Sequence, residues 1–547
     1  MATYRIQKLK NLTILILLFC FTLHSWAQDK FWIEFSDKGE YIQESGDPQQ
    51  FLSPNALNRR AYFDIPIDYT DYPLNSSYIA KVENLEAKVE KNSKWLNGII
   101  VQTSNINFVA ELAQYPFVKR VVTLNTSKSQ LSDKFQLDES EVDTLPILAY
   151  GFAASNIEML KGEYLHELGF QGQTIDIGVM DNGFQLVNTN RFFDTLNILN
   201  KIHGAYNFVD NSTDVFSNGD HGAYVMSTLA ANIKDTLIGT APMGNYYLFT
   251  TEDNNNESLA EEINWALAAE WVDSALGTWV VLSTSLGYSN GFNNSSTNHS
   301  YADMDGNTTI ITKASDLAAK KGMLVVNSAG NEGTDDWKFI TAPADGDSVL
   351  AVGAVDAERE PAEFSSYGPS SDGQIKPNVS ALGRRVVAAK YNGTLQTING
   401  TSFSCPITAG LAACLWQAFP DKNNMEVIEA IEQSAHLYFS PEDQLGYGIP
   451  NFEKAYKILE LREVTQSSGL ILYPNPTSDI LNIVFIEKSE GAYDLVVADM
   501  AGKVWIRQQD NDQVTLGQLS VKDLPKGVYL LFVKQGKNRY RQKFIKR

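Results

Sequence analysis

The sequence predicts an α/β protein: a parallel β-sheet flanked by helices on both faces, preceded by a small α+β module and followed by a β-sandwich. Three observations carry this reading. Across the middle of the chain, apolar runs such as "TIDIGVM", "YYLFT", "WVVLSTSLG", "GMLVVNSAG" and "SVLAVGAV" alternate with helical runs such as "NESLAEEINWALAAEWVDSAL" and "IITKASDLAAKK". That alternation is the signature of parallel strands covered by helices. Ahead of it the pattern is mixed, and behind it, from Leu470 to Arg547, short alternating strands are separated by turn residues.

The first element is an export signal. Arg5, Lys8 and Lys10 precede the short apolar run "LTILILLFCFTL", and Ser25-Trp26-Ala27 follows as a small-residue cleavage site, so 1–27 is expected to be removed. In 28–125 the segment "KFWIEF" reads as a strand and "SSYIAKVENLEAKVEKNSKW" as a charged helix. "LNGIIVQTSNINFVAELAQYPFVKRVV" then reads strand, polar turn, helix, strand. The polar stretch 126–149 reads as an exposed linker, 150–461 as the large domain, 462–469 ("REVTQSSG") as a second linker, and 470–547 as the sandwich, with strands at "DILNIVF", "YDLVVAD", "GVYLLFVKQG" and "RYRQKFI".

With 547 residues the chain exceeds one ordinary core. Its net charge of -21 repels nucleic acid and anionic membranes, which excludes polyanionic partners. Cys20 lies in the signal, which leaves Cys405 and Cys414. Nine positions apart on one helix, they are separated by about 13 Å of helical rise, too far for a disulfide. They read as small core residues.

Between Ser402 and Phe419 the sequence holds no charge. A membrane span is poorly supported, since Pro406, Gly410 and Gln417 interrupt a barely sufficient length. A helix buried on all sides fits better, with Pro406 in its first turn and Pro420 beyond its end. Ser402 then stands at the helix start, either as a simple cap or as a reactive group beside the positive end of the helix dipole.

A nucleophilic serine needs a base, and the base needs an acid to fix its tautomer. Of His166, His203, His221, His299 and His436, only His221 stands at the start of a helical run between glycines, in "SNGDHGAYVMSTLAA". Asp181 follows a strand and precedes the turn signal Asn182-Gly183, so its carboxylate emerges at the sheet's carboxyl edge. Asp176, inside the strand, and Asp220, adjacent to His221, are the competitors. Asn331, at a strand end in "GMLVVNSAGNEG", offers an amide donor of the kind an oxyanion hole requires, or else serves only a left-handed turn. In "YADMDGNTT" the alternate Asp303, Asp305 and Asn307 are candidate ligands for a structural Ca²⁺. The same spacing more often marks a polar turn.

In the order Asp181, His221, Asn331, Ser402, the segments "VMDNGF", "DHGAYV", "SAGNEG" and "NGTSFSCPITAG" resemble the four signatures of the subtilisin-like serine peptidases, family S8. The resemblance implies Ser402 as nucleophile, His221 as general base, Asp181 as orienting acid and Asn331 as oxyanion donor. It implies a substrate-binding strand at Ser285, Leu286 and Gly287, and no required cofactor. The chain departs from the pattern at Asn182, at Ala223-Tyr224 and at Phe403-Ser404-Cys405, none of which removes a catalytic group. "WLNGIIVQTSNINFVAELAQYPFVKRV" resembles the closing half of the subtilisin propeptide, which implies an inhibitory propeptide and a maturation site within 126–149. "LYPNPTSDILNI" and "KGVYLLFVKQGKNRYRQKFIKR" resemble the C-terminal sorting domain of the type IX secretion system of Bacteroidetes, which implies the secretion machinery as partner and a secreted or surface-attached product. The implied activity is a secreted serine endopeptidase acting on protein or peptide substrates, made as an autoinhibited precursor. The other reading is a secreted surface protein that uses a peptidase-like scaffold for binding without turnover. An esterase would need the Gly-x-Ser-x-Gly elbow that Ser402 lacks.

Overall fold

In the computed structural model, residues 29–39, 47–124, 150–466, 470–485, 493–499, 503–510, 516–535 and 538–547 are described. The expected export signal, 1–27, and the expected linker with its maturation site, 126–149, lie outside them. Two compact units divide the chain, 1–453 and 454–547.

The first unit begins with a four-stranded antiparallel sheet of β1 (Asp29–Phe35), β2 (Ala87–Ser93), β3 (Gly98–Thr103) and β4 (Val118–Thr123), in the order β2-β3-β1-β4. Helices α1 (Pro54–Tyr62), α2 (Ser76–Glu83) and α3 (Phe108–Leu112) accompany it. The helix expected over "SSYIAKVENLEAKVEKNSKW" is therefore only half helical. Glu86 takes φ 61, which turns the chain, and residues 87–93 leave the helix to pair with β3.

Seven parallel strands form the central sheet: β5 (Asp176–Asp181), β6 (Ile202–Asn207), β7 (Asn245–Thr250), β8 (Val280–Thr284), β9 (Leu324–Ser328), β10 (Val349–Val355) and β11 (Val379–Leu382), in the order β11-β10-β9-β8-β5-β7-β6. The five apolar runs read from the sequence are strands. Strands β6 and β11 do not stand out in the sequence: the first contains Gly204 and shifts register between Ile202 and Gly204, and the second is four residues long. Helices α4 (His221–Ala230), α5 (Leu259–Ala275), α6 (Ile310–Lys320) and α7 (Thr401–Ala418) follow in chain order. Met180, Phe249, Leu282 and Val325 pack against Trp265 and Ala269 of α5 and Ala314 of α6. On the remaining side, α7 lies against α4 and strands β8 to β11.

Every residue of α7 from Thr401 to Trp416 is buried. Its lack of charge therefore reflects a protein interior, where an unpaired charge is expensive. Among the described residues no helix is long and apolar enough to cross a membrane. One expectation is corrected: Pro406 sits inside the helix, past its first turn. The helix starts at Thr401, because Gly400 at φ 147 is the last residue to break its geometry.

Helix α8 (Phe452–Gln466) extends through residues that read as a polar linker. In the second unit, strands Leu470–Tyr473, Ile480–Phe485 and Leu516–Ser520 form one antiparallel sheet. Strands Val504–Asp510, Tyr493–Asp499, Gly527–Gln535 and Asn538–Lys546 form another. Leu481, Ile483 and Leu519 of the first share a core with Val497, Leu531 and Phe544 of the second. This is the sandwich the alternation predicts.

Candidate active site

Parallel pairing aligns strand ends. Thr284 lies opposite Met180 on one side and Asn327 on the other, so β5, β8 and β9 finish together at the carboxyl edge. Asp181 is the last residue of β5, and the chain turns at once through Gly183, φ 126. A Cβ there would meet the Asn218 carbonyl oxygen at 2.3 Å, and one on Gly219 would meet that of Asn182 at 2.3 Å. The two backbones thus touch only because both residues are glycine. This close approach delivers His221, the first residue of α4, to Asp181.

His221 Nδ1 lies 2.8 Å from Asp181 Oδ1, with both side chains 1 % exposed. A carboxylate only accepts, so Nδ1 carries the proton and Nε2 keeps the lone pair a base needs. Asn182 supports the pair from two directions. Its N–H donates to Asp181 Oδ1 at 2.7 Å, and its Oδ1 accepts the N–H of Gly222 at 3.4 Å. The Phe403 ring lies 5.7 Å from the imidazole, centroid to centroid, which puts the residue after Ser402 against His221.

Ser402 is the second residue of α7 and is buried. The first residue, Thr401, donates its N–H to Asn331 Oδ1 at 2.9 Å, and its hydroxyl, with one proton to give, lies 3.0 Å from the same oxygen and 3.1 Å from the Gly330 carbonyl. These contacts fix which way the Asn331 amide faces, with its oxygen on the helix start and its NH₂ turned away. The left-handed φ in this loop belongs to Gly330, at 112°, so Asn331 is not there to tolerate a turn.

Pro406 stands four residues after Ser402. It has no N–H, so the i→i−4 bond to the Ser402 carbonyl cannot form. Ser285, just past the end of β8, donates its hydroxyl to that carbonyl at 2.8 Å. Leu286 presents its carbonyl to Asn327 Nδ2 at 3.0 Å, and a Cβ on Gly287 would meet Thr341 Oγ1 at 2.0 Å. Sequence reasoning singled out Ser285 but not this bond, and it missed Thr401 altogether. It also missed Glu332, half-buried beside Asn331 and bonded to Ser366 Oγ at 2.8 Å, where desolvation pushes its carboxyl pKa upward.

Asp176 and the other histidines are engaged elsewhere. Asp176 accepts from Gly277 N–H and Asn245 Nδ2 at the start of β5. His166 meets the Thr240 carbonyl and the Tyr150 hydroxyl, His299 meets Glu262, and His436 accepts from Ile449 N–H. His203 packs against Tyr247. Cys405 points its thiol at the carbonyls of Thr284 and Val326, and burial pushes its pKa up to about 12.

The calcium candidates do not form a cage. Asp303 accepts from the N–H and Oγ of Ser300, both at 2.7 Å, and Asp305 from Asn307 N–H and Thr308 Oγ1, both at 2.9 Å. Each carboxylate is spent on its own turn, which is the polar-turn reading. Among the described residues no three His, Cys, Asp or Glu gather where they could hold an ion.

Comparison with known proteins covers most of the chain. Residues 172–452 match the subtilase family, residues 30–138 the Bacteroidota peptidase S8 propeptide domain, and residues 471–547 a secretion system C-terminal sorting domain. Subtilisin NAT of Bacillus subtilis subsp. natto is 28% identical over 315 residues, which is 56% of this chain and 73% of that protein. Subtilisin of Bacillus pumilus is 28% identical over 303 residues, 55% of this chain and 97% of its own. A thermophilic serine proteinase of Bacillus sp. (strain AK1) is 30% identical over 282 residues, 51% and 60% of the two chains.

Proposed function

We propose that this chain, which belongs to the subtilase family, cuts peptide bonds through a triad of Ser402, His221 and Asp181 and an acyl-enzyme. It is a serine peptidase made with an S8 propeptide, and its sorting domain marks it for export, to the cell surface or beyond. The finer reading rests above all on one observation, the buried 2.8 Å bond between His221 Nδ1 and Asp181 beside the start of α7.

In the proposed reaction, Ser402 Oγ attacks the carbonyl carbon of the scissile bond while His221 Nε2 takes its proton. Asp181 holds the ring in the Nδ1–H tautomer and stabilises the imidazolium. The Asn331 amide and the Ser402 N–H donate to the oxyanion, aided by the positive end of α7. The C–N bond then breaks, and the leaving amine receives the proton from Nε2. Water, deprotonated by His221, attacks the ester and releases the acid product.

Residues 28–125 are read as the propeptide, with maturation within 126–149. The substrates are read as proteins or peptides whose backbone lies along Ser285, Leu286 and Gly287. A fluorophosphonate probe tests the reading. We expect it to label the processed protein and to lose all labelling in Ser402→Ala; absence of labelling after propeptide removal would overturn the triad.

A further inference from the structure

The propeptide holds the large domain in two places. One is the contact of its sheet with α5, where Glu270 accepts from Ser93 Oγ, Lys94 N–H and Trp95 N–H. The other is built by the segment between β1 and α2, at the C-terminal end of the same helix. A helix leaves its last carbonyls without intrahelical donors. At α5 they are capped from the propeptide: Ser53 Oγ donates to the Ser274 carbonyl at 2.6 Å and Asn55 Nδ2 to that of Ala275 at 2.7 Å. The Arg59 guanidinium donates to the carbonyls of Leu276 and Gly277 at 2.8 and 2.7 Å.

The charges follow the same design. Arg59 also donates to Asp273 Oδ1 at 2.9 Å, and Arg60 reaches both oxygens of Asp273 at 3.0 Å. Arg59 and Asp273 are 0 % exposed. Arg60 is tied back to Asp71, and Asp71 to Lys321 of the large domain at 2.8 Å. Two guanidinium groups therefore sit at the negative end of the α5 dipole and share the buried carboxylate of Asp273, with the buried Asp71 on the far side of Arg60.

We propose that the segment from Ser53 to Asp71 is a latch, independent of the substrate cleft, that keeps the propeptide seated after the chain is cut in 126–149. On the enzyme side its socket is Asp273 with the carbonyls of Leu276 and Gly277, a site for paired arginines. The latch rests on the reading of residues 28–125 as an inhibitory propeptide. It adds a source of retention that does not involve the cleft, so latency ends when the socket opens and not when the peptide bond breaks.

The test is independent of catalysis. A full-length Ser402→Ala chain carries the recognition sequence of an unrelated protease inserted within 126–149. After cutting, the half-life of propeptide retention is followed by gel filtration. We expect the cut fragment to co-elute for hours. Arg59→Lys with Arg60→Lys keeps the charge but loses the forked geometry, and we expect it to shorten retention roughly tenfold or more. Asp273→Asn, which leaves the propeptide's own side chains intact, shortens it likewise and decides the matter if the double variant does not fold. Lys119→Ala, at the exposed pair with Glu34, leaves retention unchanged. Immediate release of the unaltered fragment, or equal half-lives for unaltered and latch-variant fragments, would overturn the latch. Probe labelling of the chain with Ser402 intact reports separately on the peptidase reading, so failure of one is not failure of the other.

Discussion

Ser285→Ala removes one hydroxyl, and its effect depends on a second residue, Pro406. The Ser402 carbonyl loses its helical donor because Pro406 has no N–H, and Ser285 Oγ replaces it at 2.8 Å. Both Ser285 and Ser402 are buried, so in the alanine variant no water readily takes over. A buried carbonyl left without a partner costs about 1–3 kcal/mol, which corresponds to unfolding faster by a factor of about five to a hundred or more. Pro406→Ala returns an N–H at the position from which an α-helix donates to that carbonyl. In that background Ser285→Ala should be nearly neutral, changing the rate by no more than about twofold, a coupling of the size seen for residues that share a partner. The assay is the unfolding rate in denaturant, read by tryptophan fluorescence, in a Ser402→Ala background that prevents self-digestion. If Ser285→Ala accelerates unfolding as much in the Pro406→Ala background as it does with Pro406 in place, the compensation argument is wrong. If it accelerates neither, the bond is not worth what burial implies.

Four further outcomes are expected. Asn331→Ala lowers kcat by about 10²–10³ with little change in KM, the magnitude that belongs to loss of the same donor in subtilisin, the standard example of this effect. Because Thr401 acts by orienting that amide, Thr401→Val lowers kcat in the intact enzyme but has no further effect on Asn331→Ala; additive losses in peptide hydrolysis would contradict this. Cys405, with its thiol raised to about 12 by burial, resists iodoacetamide in the native protein and reacts only after unfolding, as mass spectrometry would show. His299 is one pH-sensitive group: burial pushes its pKa down, but the hydrogen bond and charge of Glu262 outweigh burial and raise it. Its stabilising contribution is therefore complete below its ordinary 6.5 and is lost as pH rises through the raised value. His299→Gln should remove that step from a plot of unfolding rate against pH, and an unchanged profile would count against the pairing.

What could be read in the sequence follows from where the information sits. Asp181, His221 and Asn331 were legible because each stands at a punctuated position, beside Asn182-Gly183, Gly222 or Gly330, where the end of a regular element is written in residue types. The helix of Ser402 was legible from its missing charge. Regular pattern failed where a short or interrupted element is held by its neighbours, as in β6 with Gly204 and in β2, whose residues carry a helical rhythm but pair with β3. A different limit applies to Ser285, Thr401, Arg59 and Arg60. Ser285 and Arg59 act on the carbonyls of Ser402, Leu276 and Gly277, and a carbonyl has no residue identity to recognise. Read along the chain, "NRRAY" is a basic helix segment of the kind that usually faces water. What makes it a clasp is Asp273, more than 200 positions away, at a helix end whose unpaired backbone the sequence never mentions. Pro406 marks the one place where such a contact leaves a trace, because a proline four residues after a buried carbonyl announces that its donor must come from somewhere else.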